Sequence, residues 1–230
     1  MIHPEVVSKG IVSRTAPPLE RAGLTEQLSV VQLHQNSTVY PCQNPVQHFY
    51  WLKEGVLGLY RYVSEDKKVL LNKIFPGETV GITQLLRKEV FPARLRPITQ
   101  CTALQGKKTH LDQLERYSKQ ALQEVLVQDN SYHAQVIDRL DSILGGNVRE
   151  RLAGQLLELI EELGRPTSGG ILLDIELSRA DFRNMVNSTR ESTSRVMSEF
   201  EENGIIRTTD KVVTVLQPEA LRNIASNQAK

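Results

Sequence analysis

The sequence has few cysteines and no long apolar segment, and each of these two absences argues against a class of protein. Its two cysteines, Cys42 and Cys101, are too few to hold an iron–sulfur cluster or a four-thiolate zinc ion, and they lack C-x-x-C spacing. We expect two free, mostly buried thiols in a reducing compartment. No run of about 18 apolar residues occurs, which argues against a membrane span.

The charge is balanced, and no catalytic motif is found. The 28 Lys and Arg residues against 27 Asp and Glu residues give a net charge of +1, which neither favours nor excludes a nucleic-acid partner. Residues 1–23 lack the apolar core of a signal peptide, so we expect a cytoplasmic protein. We find no P-loop, nucleophile elbow or metal-ligand pair, and we therefore do not expect an enzyme.

The pattern of apolar and polar residues changes along the chain and predicts an α+β protein. Residues 1–26 are irregular and are expected to form an N-terminal arm. Short apolar runs separated by turn signals in 27–117 predict a sandwich or barrel of short strands. A helical period follows in 118–146, and 147–230 reads as a separate C-terminal domain.

Several strands can be placed within the β-rich part. The stretch "HFYWLKEGVLGLYRY" (48–62) predicts two strands around Glu54–Gly55. The stretch "VLLNKIF" (69–75) predicts a third strand after a polar turn, and "PGE" (76–78) predicts another turn. The stretch "ARLRPITQCTALQG" again has the pattern of a strand, with an interruption at Pro97.

A long amphipathic helix is predicted over about 119–144. Residues spaced by three or four positions form one seam along it: Leu126, Asp129, His133, Val136, Leu140 and Ile143. A seam of this length predicts pairing with a second copy of the chain, although two polar members weaken it. The alternative is packing only against its own barrel. Gly145–Gly146 then marks a helix stop or a hinge.

The stretch "LSRADFRNMVNSTRESTSRVMSEFEENGIIR" (177–207) predicts two short helices joined by a tight turn. Ser178 and Asp181 form a capping-box pattern at the first helix start. Asn187–Ser188 breaks that helix, and Gly204 ends the second. The strand "ILLDIEL" (171–177), placed after a loop "RPTSGG", precedes the pair. The hairpin "IIRTTDKVVTVL" (205–216), with its turn at Thr209–Asp210–Lys211, follows it. This order is typical of a winged helix-turn-helix.

Polar and apolar side chains fall on opposite faces of the second helix. At about 100° per residue, the apolar positions Thr193, Val196, Met197 and Phe200 share one face. The opposite face carries Arg190, Glu191, Ser194 and Arg195. These side chains suit a DNA major groove, since Arg donates to guanine and Glu accepts from cytosine. We expect the cap of this helix at Ser188 or Thr189. The alternative for Glu191 is a capping box with Ser188, in which the carboxylate bonds only a backbone N–H.

From about residue 28 onward the sequence resembles the Crp/Fnr family of bacterial transcription regulators, chiefly through the helix-turn-helix stretch. The resemblance implies an N-terminal β-roll (a jelly-roll-like double-stranded β-helix), a long dimerisation helix and a C-terminal winged helix-turn-helix. The triplet of Arg190, Glu191 and Arg195 matches one family pattern for base contacts, while Glu191, Ser194 and Arg195 match a second. A homodimer on a palindromic DNA site is implied, with RNA polymerase as a possible further partner.

Other residues near this helix are candidates for phosphate contacts. We expect Arg179, Arg183, Ser192 and Lys211 to add affinity and salt dependence rather than base choice. The dimer would pair along the seam at Leu126, His133, Val136, Leu140 and Ile143. Any effector signal would then rotate the winged domains about residues 144–147.

The resemblance also locates an effector pocket in the β-roll. "FPGETVG" (75–81) matches the start of the family's phosphate-binding cassette, and cyclic-AMP binders use the Glu of "GE" on the ribose. Candidate pocket residues are Gly77, Glu78, Phe91 and Arg94. The family's Arg-Ser or Arg-Thr pair before an alanine, which binds the cyclic phosphate, falls here on Phe91–Pro92. Neither residue neutralises a phosphate, so we expect no cyclic-AMP response.

We expect no bound cofactor, and the sequence does not identify the effector. Haem has candidate ligands in His34, His48, His110 and His133, but no ligand motif is present. An unidentified small molecule, or no ligand at all, are the other possibilities. The competing function is a small-ligand or redox/haem sensor module whose helix-turn-helix serves protein contacts.

Overall fold

The structure is a computed structural model, which describes residue 20 and residues 23–35, 37–62, 68–127 and 146–226. After a 3-10 turn at Thr25–Gln27, the described part of the N-terminal domain contains seven strands: β1 Ser29–Leu33, β2 Phe49–Glu54, β3 Leu57–Tyr62, β4 Lys68–Ile74, β5 Thr79–Val80, β6 Arg94–Pro97 and β7 Cys101–Gly106. They form a four-stranded sheet in the order β1-β7-β2-β5 and a three-stranded sheet in the order β4-β3-β6, and their paired strands are antiparallel.

The strands predicted around Glu54–Gly55 are confirmed. Gly55 has φ +84° and joins β2 to β3 at a point where an added Cβ would meet the carbonyl oxygen of Gln100 and the Sγ of Cys101. Only glycine fits this approach without strain. The turn therefore sends the chain from the larger sheet to the smaller one.

The core of this domain lies between the sheets and is built from fully buried side chains. Phe49, Trp51, Leu52 and Leu95 are all at most 1% exposed. Three helices cover the strands: α1 Ile82–Arg87, α2 Lys108–Tyr117 and the segment α3, residues 119–127. Both cysteines are free, with Cys101 buried and Cys42 half-buried, as predicted. Burial raises the pKa of the Cys101 thiol to about 11, which keeps it protonated at neutral pH.

Only the beginning of the predicted dimerisation helix lies among the described residues. In α3, Val125 is fully buried and Leu126 is half-buried, and both pack against the core of their own N-terminal domain. The remaining seam residues, Asp129, His133, Val136, Leu140 and Ile143, lie outside the described residues.

The C-terminal domain alternates helices and short strands. Its elements are α4 Val148–Leu163, β8 Gly164–Thr167, β9 Gly170–Leu173, α5 Arg179–Val186, α6 Arg190–Glu202, β10 Ile206–Thr209, β11 Val212–Val215 and α7 Pro218–Ser226. The strands form one antiparallel sheet in the order β10-β11-β9-β8. This confirms the predicted α+β class and the winged helix-turn-helix order.

The predicted loop "RPTSGG" is a turn only at residues 168–169, and the strand predicted over 171–177 ends at Leu173. Residues 164–167 form β8, which pairs with β9 in a hairpin and places Pro166 opposite Ile171. A proline removes a ladder donor and normally argues against a strand, but β8 is an edge strand, where that donor is not needed. The helix α7, which we did not predict, packs against α4.

The two domains touch in this structure. Tyr60, Leu70 and Phe75 from the smaller sheet belong to the same cluster of buried side chains as Leu156 and Phe182 of the C-terminal domain. Helix α5 also contacts β4. Within the described residues, no helix is both long and apolar enough to cross a bilayer.

Candidate nucleic-acid interface

The turn between α5 and α6 sets where the outward-facing helix begins. Ser178 caps α5 by accepting the backbone N–H of Asp181, and Asp181 accepts the backbone N–H of Ser178, so the predicted capping box is confirmed. Asn187 ends α5 in the left-handed conformation with φ +46°. Asparagine tolerates this conformation better than most residues, which makes the sharp turn possible.

The structure places the cap of α6 at the second of the two predicted positions. Thr189, rather than Ser188, is the N-cap, and its Oγ1 accepts the backbone N–H of Ser192 at 3.2 Å. Ser192 therefore occupies the third helical position, which the predicted Ser188–Glu191 capping box gave to Glu191. The carboxylate of Glu191 is left on the first turn of the helix, where the helix dipole favours a negative charge.

One face of α6 is anchored in the domain core. Thr193, Met197 and Phe200 have no exposed surface, and Val196 is buried. The hydroxyl of Thr193 donates to the carbonyl of Thr189 at 2.9 Å, so its polar atom is satisfied inside the core. The spacing of these four residues fixes the rotation of the helix about its axis.

The opposite face of α6 is open to solvent. Arg190, Glu191 and Arg195 are exposed, and Ser194 is half-buried beside them. This agrees with the helical wheel derived from the sequence. The face begins in the first turn of α6, which is the end of a recognition helix that meets base edges in the helix-turn-helix geometry. Two guanidinium donors, one carboxylate acceptor and one hydroxyl give it the groups that distinguish base pairs.

The candidate phosphate-binding residues have different surroundings. Lys211 is exposed at the tip of the β10–β11 wing, and Asp210 and Lys211 both have positive φ, as a tight hairpin turn requires. Arg183 is half-buried, and its guanidinium donates to Asn184. Arg179 forms an ion pair with Glu201 of α6 at 3.3 Å, and its Nη1 atom is buried without a hydrogen-bond partner among the described residues.

Helix α4 is joined by hydrogen bonds to α6 and to the end of α5. The Nε of Arg149 donates to the carboxylate of Glu199 on α6 at 2.6 Å. The Nε of Arg151 donates to the carbonyl of Val186 at the end of α5 at 3.0 Å, and its Nη1 donates to the carbonyl of Gly146 at 2.8 Å. Both helices of the helix-turn-helix are thus fixed to α4 by charged hydrogen bonds.

The four predicted effector-pocket residues occupy three environments. Phe91 is 1% exposed and stacks on Tyr40 with ring centroids 4.6 Å apart, so it is part of the core. Arg94 is exposed on β6, and its guanidinium lies 4.3 Å from the ring centroid of Tyr62. Gly77 and Glu78 form the turn between β4 and β5, where Gly77 has φ +96°.

Glu78 stabilises the β4–β5 turn to which it belongs. One of its carboxylate oxygens accepts the backbone N–H of Phe75 at 2.6 Å. The pKa of the Glu78 carboxyl is raised to about 7, chiefly by burial. The hydrogen bond from Phe75 opposes this rise, and the nearby carboxylates Glu162 and Glu158 on α4 contribute to it. Glu78 therefore faces the C-terminal domain.

Two family models match the chain, one for each domain. Residues 30–117 match the model described as a cyclic nucleotide-binding domain, and residues 150–224 match a Crp-like helix-turn-helix domain. A CRP-like cAMP-activated global transcriptional regulator from Mycobacterium tuberculosis is 21% identical over 94% of this chain and 97% of its own. The nitrogen fixation regulation protein FixK from Rhizobium meliloti is 26% identical over 77% of this chain and 78% of its own. This chain belongs to the Crp/Fnr family.

Solved structures have the same architecture as this Crp/Fnr protein. FixK2 from Bradyrhizobium japonicum superposes with a TM-score of 0.73 at 17% identity, covering 86% of this chain and 96% of its own. A CRP-family transcriptional regulator from Thermus thermophilus superposes with a TM-score of 0.71 at 21% identity, covering 85% of this chain and 96% of its own. At these identities, the structures establish the fold. Together with the two domain matches, the sequence relatives establish a DNA-binding transcription regulator of the Crp/Fnr type; the relatives are regulators and not enzymes.

Some residues that shape the site of this Crp/Fnr protein were not predicted. Arg149 and Glu199 lie 50 positions apart, so nothing in the sequence indicates their ion pair. A cavity of about 270 Å³ between the domains was also missed. Its charged lining comes from Lys68, Arg96, Glu176, Asp181 and Lys211. The sequence pattern of a single helix predicts neither the ion pair nor the cavity, because both depend on how distant segments of the chain pack together.

Proposed function

We propose that this Crp/Fnr regulator acts as a homodimer on a palindromic DNA site, with α6 as its recognition helix. The observation that carries this proposal is that α6 has one face buried in the domain core and the opposite face exposed to solvent. Its buried side fixes its rotation, so Arg190, Glu191 and Arg195 are presented together to solvent. In a dimer, two such helices would enter successive major grooves about one DNA turn apart.

The proposed base contacts follow from donor and acceptor chemistry. Arg190 and Arg195 are assigned to guanine through paired donors, Glu191 to cytosine, and Ser194 to either a base or a phosphate. Ser192 and Lys211 are assigned to the phosphate backbone. Arg179 is assigned to it as well and would exchange its ion pair with Glu201 for a phosphate on binding. The dimer would pair along the seam of Leu126, His133, Val136, Leu140 and Ile143, and RNA polymerase is the proposed protein partner of the DNA-bound dimer in the cytoplasm.

A site can be selected from random duplexes and then used to test this assignment. The wild type is expected to enrich an inverted repeat, and to bind it as two chains per duplex by sedimentation. Enrichment of a single, non-repeated half-site bound by one chain would contradict the dimer. Adding purified RNA polymerase to the bound duplex then tests the further partner by a supershift.

We further propose that cyclic AMP is not the effector, although one relative's name describes it as cAMP-activated. Phe91 is packed on Tyr40 inside the core and offers no charge. The carbonyl of Pro92 faces Nη1 of Arg61 at 3.5 Å, and Arg94 lies over Tyr62, so these residues are already engaged in the protein. Cyclic AMP is expected to leave the melting temperature and the DNA affinity unchanged. Saturable micromolar binding in calorimetry would contradict this.

A further inference from the structure

Lys73 is a charged residue in an apolar position. It lies on β4 opposite Gly58 of β3, and its side chain is only 2% exposed. Its neighbours along the strand, Asn72 and Ile74, are also buried. A lysine ammonium is almost never buried so completely unless partners replace its water.

The partners of Lys73 come from the other domain. Its Nζ donates to Oε1 of Gln155 and to Oε2 of Glu158, each at 2.6 Å. The Nε2 of Gln155 in turn donates to the same oxygen of Glu158 at 3.2 Å, which closes a three-residue network. Gln155 is buried, and it lies one helical turn before Glu158 on α4. This network therefore joins the smaller β-sheet to α4 by charged hydrogen bonds.

The electrostatic surroundings favour a cation at this point. Two further carboxylates, Glu78 and Glu162, lie close enough to Glu158 that each has its pKa raised, chiefly by burial and secondly by the neighbouring negative charges. Lys73 lowers the pKa of Glu162 in return. The ammonium of Lys73 thus stands among carboxylates of both domains, and its removal would strengthen their mutual repulsion.

The same helix that holds Lys73 also holds the recognition helix. Through Arg149, α4 binds Glu199 of α6, and through Arg151 it binds the carbonyl of Val186. The contacts from β4 to α6 therefore run through one rigid helix, with Gln155 and Glu158 on one part of it and Arg149 about two turns earlier. Moving α4 against β4 would move α6 with it.

We propose that Lys73 is a positioning residue, which fixes the winged helix-turn-helix on the β-roll and thereby sets the half-site spacing that the dimer accepts. This inference rests on the proposed function, since spacing is defined only for a dimer on an inverted repeat. Contacts that hold one domain against another determine where the recognition helices lie relative to each other, whereas α6 alone determines which bases are read.

The test compares binding to inverted repeats with half-sites at the preferred separation and at separations one base pair longer and shorter. Lys73→Met keeps the length of the side chain and removes its charge. Glu158→Ala removes the partner from the other side, at a helix position whose side chain is 39% exposed, where alanine is well tolerated. Lys53→Met is the matched control, because it removes the same charge from an exposed site on β2.

We expect both variants to bind the preferred site and to lose about fivefold or more of the preference over the other spacings. The double variant should lose no more than either single one, since the two residues form one contact. Lys53→Met should keep the wild-type ratio. If Lys73→Met does not fold, Glu158→Ala tests the same contact on its own.

Two results would overturn this inference alone. In the first, both variants keep the wild-type ratio of affinities between the preferred spacing and the other spacings. In the second, the variants lose affinity equally at every spacing, which would indicate general destabilisation. A wild type that binds all spacings equally would contradict the proposed dimer function as well as this inference. These outcomes are distinguishable because the wild-type measurement tests the first claim and the variant ratios test the second.

Discussion

We predict that the wild type loses stability as pH rises from 4.5 towards 7. The variant Glu78→Gln should not show this loss. The Glu78 carboxyl has an ordinary pKa of 4.5 in the unfolded chain and a pKa of about 7 in the folded protein, chiefly because of burial. Between these values the folded state binds more protons than the unfolded state, so stability falls as pH increases and levels off above about 7. Each unit of pKa difference corresponds to about 1.4 kcal/mol, which sets an upper limit of about 3 kcal/mol.

The substitution is suited to this test because glutamine keeps the shape and the acceptor oxygen that binds the backbone N–H of Phe75. Glu78→Gln should therefore match the wild type near pH 4.5 and exceed it in free energy of unfolding at pH 8. The assay is urea unfolding at a fixed protein concentration across this pH range, since association would make stability concentration-dependent. Glu26→Gln, an exposed change in the 3-10 turn, is the control. Parallel profiles for Glu78→Gln and the wild type would refute the reasoning.

Two other substitutions test the local structure. Thr189→Ala removes the N-cap of α6 and should lower the free energy of unfolding by about 1 kcal/mol in calorimetry, with Ser188→Ala as a neutral comparison. If Ser188→Ala costs more than Thr189→Ala, the cap is misassigned. Gly55→Ala places a Cβ against the carbonyl of Gln100 at φ +84° and should cost more than about 1 kcal/mol. Gly23→Ala has the same sign of φ but open space and should cost less; equal losses would show that the close approach is unimportant.

The local elements were predictable because local sequence determines them. The capping box at Ser178, the turn at Asp210–Lys211 and the apolar positions of α6 all follow from spacings of a few residues. The strand β8 was missed because Pro166 is tolerated only at a sheet edge, and edge position is a tertiary property. The sequence left the α6 cap at Ser188 or Thr189, because the pattern does not decide between two adjacent hydroxyl residues.

The interdomain contacts were beyond prediction for a different reason. Lys73 in "VLLNKIF" is indistinguishable in sequence from an exposed strand residue, because its partners lie more than 80 positions away on α4. In the same way, Phe91 looked like a substituted ligand contact, whereas its stacking on Tyr40 makes it part of the core. Burial and long-range pairing, rather than residue type, decide these roles.

The most direct test of α6 as the recognition helix is the affinity of Arg195→Ala for the selected site and for random duplex DNA, measured by fluorescence anisotropy at one salt concentration. Arg195 is exposed on the face opposite the anchored side chains, so its removal should leave the fold intact. The account predicts a loss of about 1–3 kcal/mol on the selected site, relaxed base choice at one position, and little change on random DNA. An equal loss on both duplexes would contradict it.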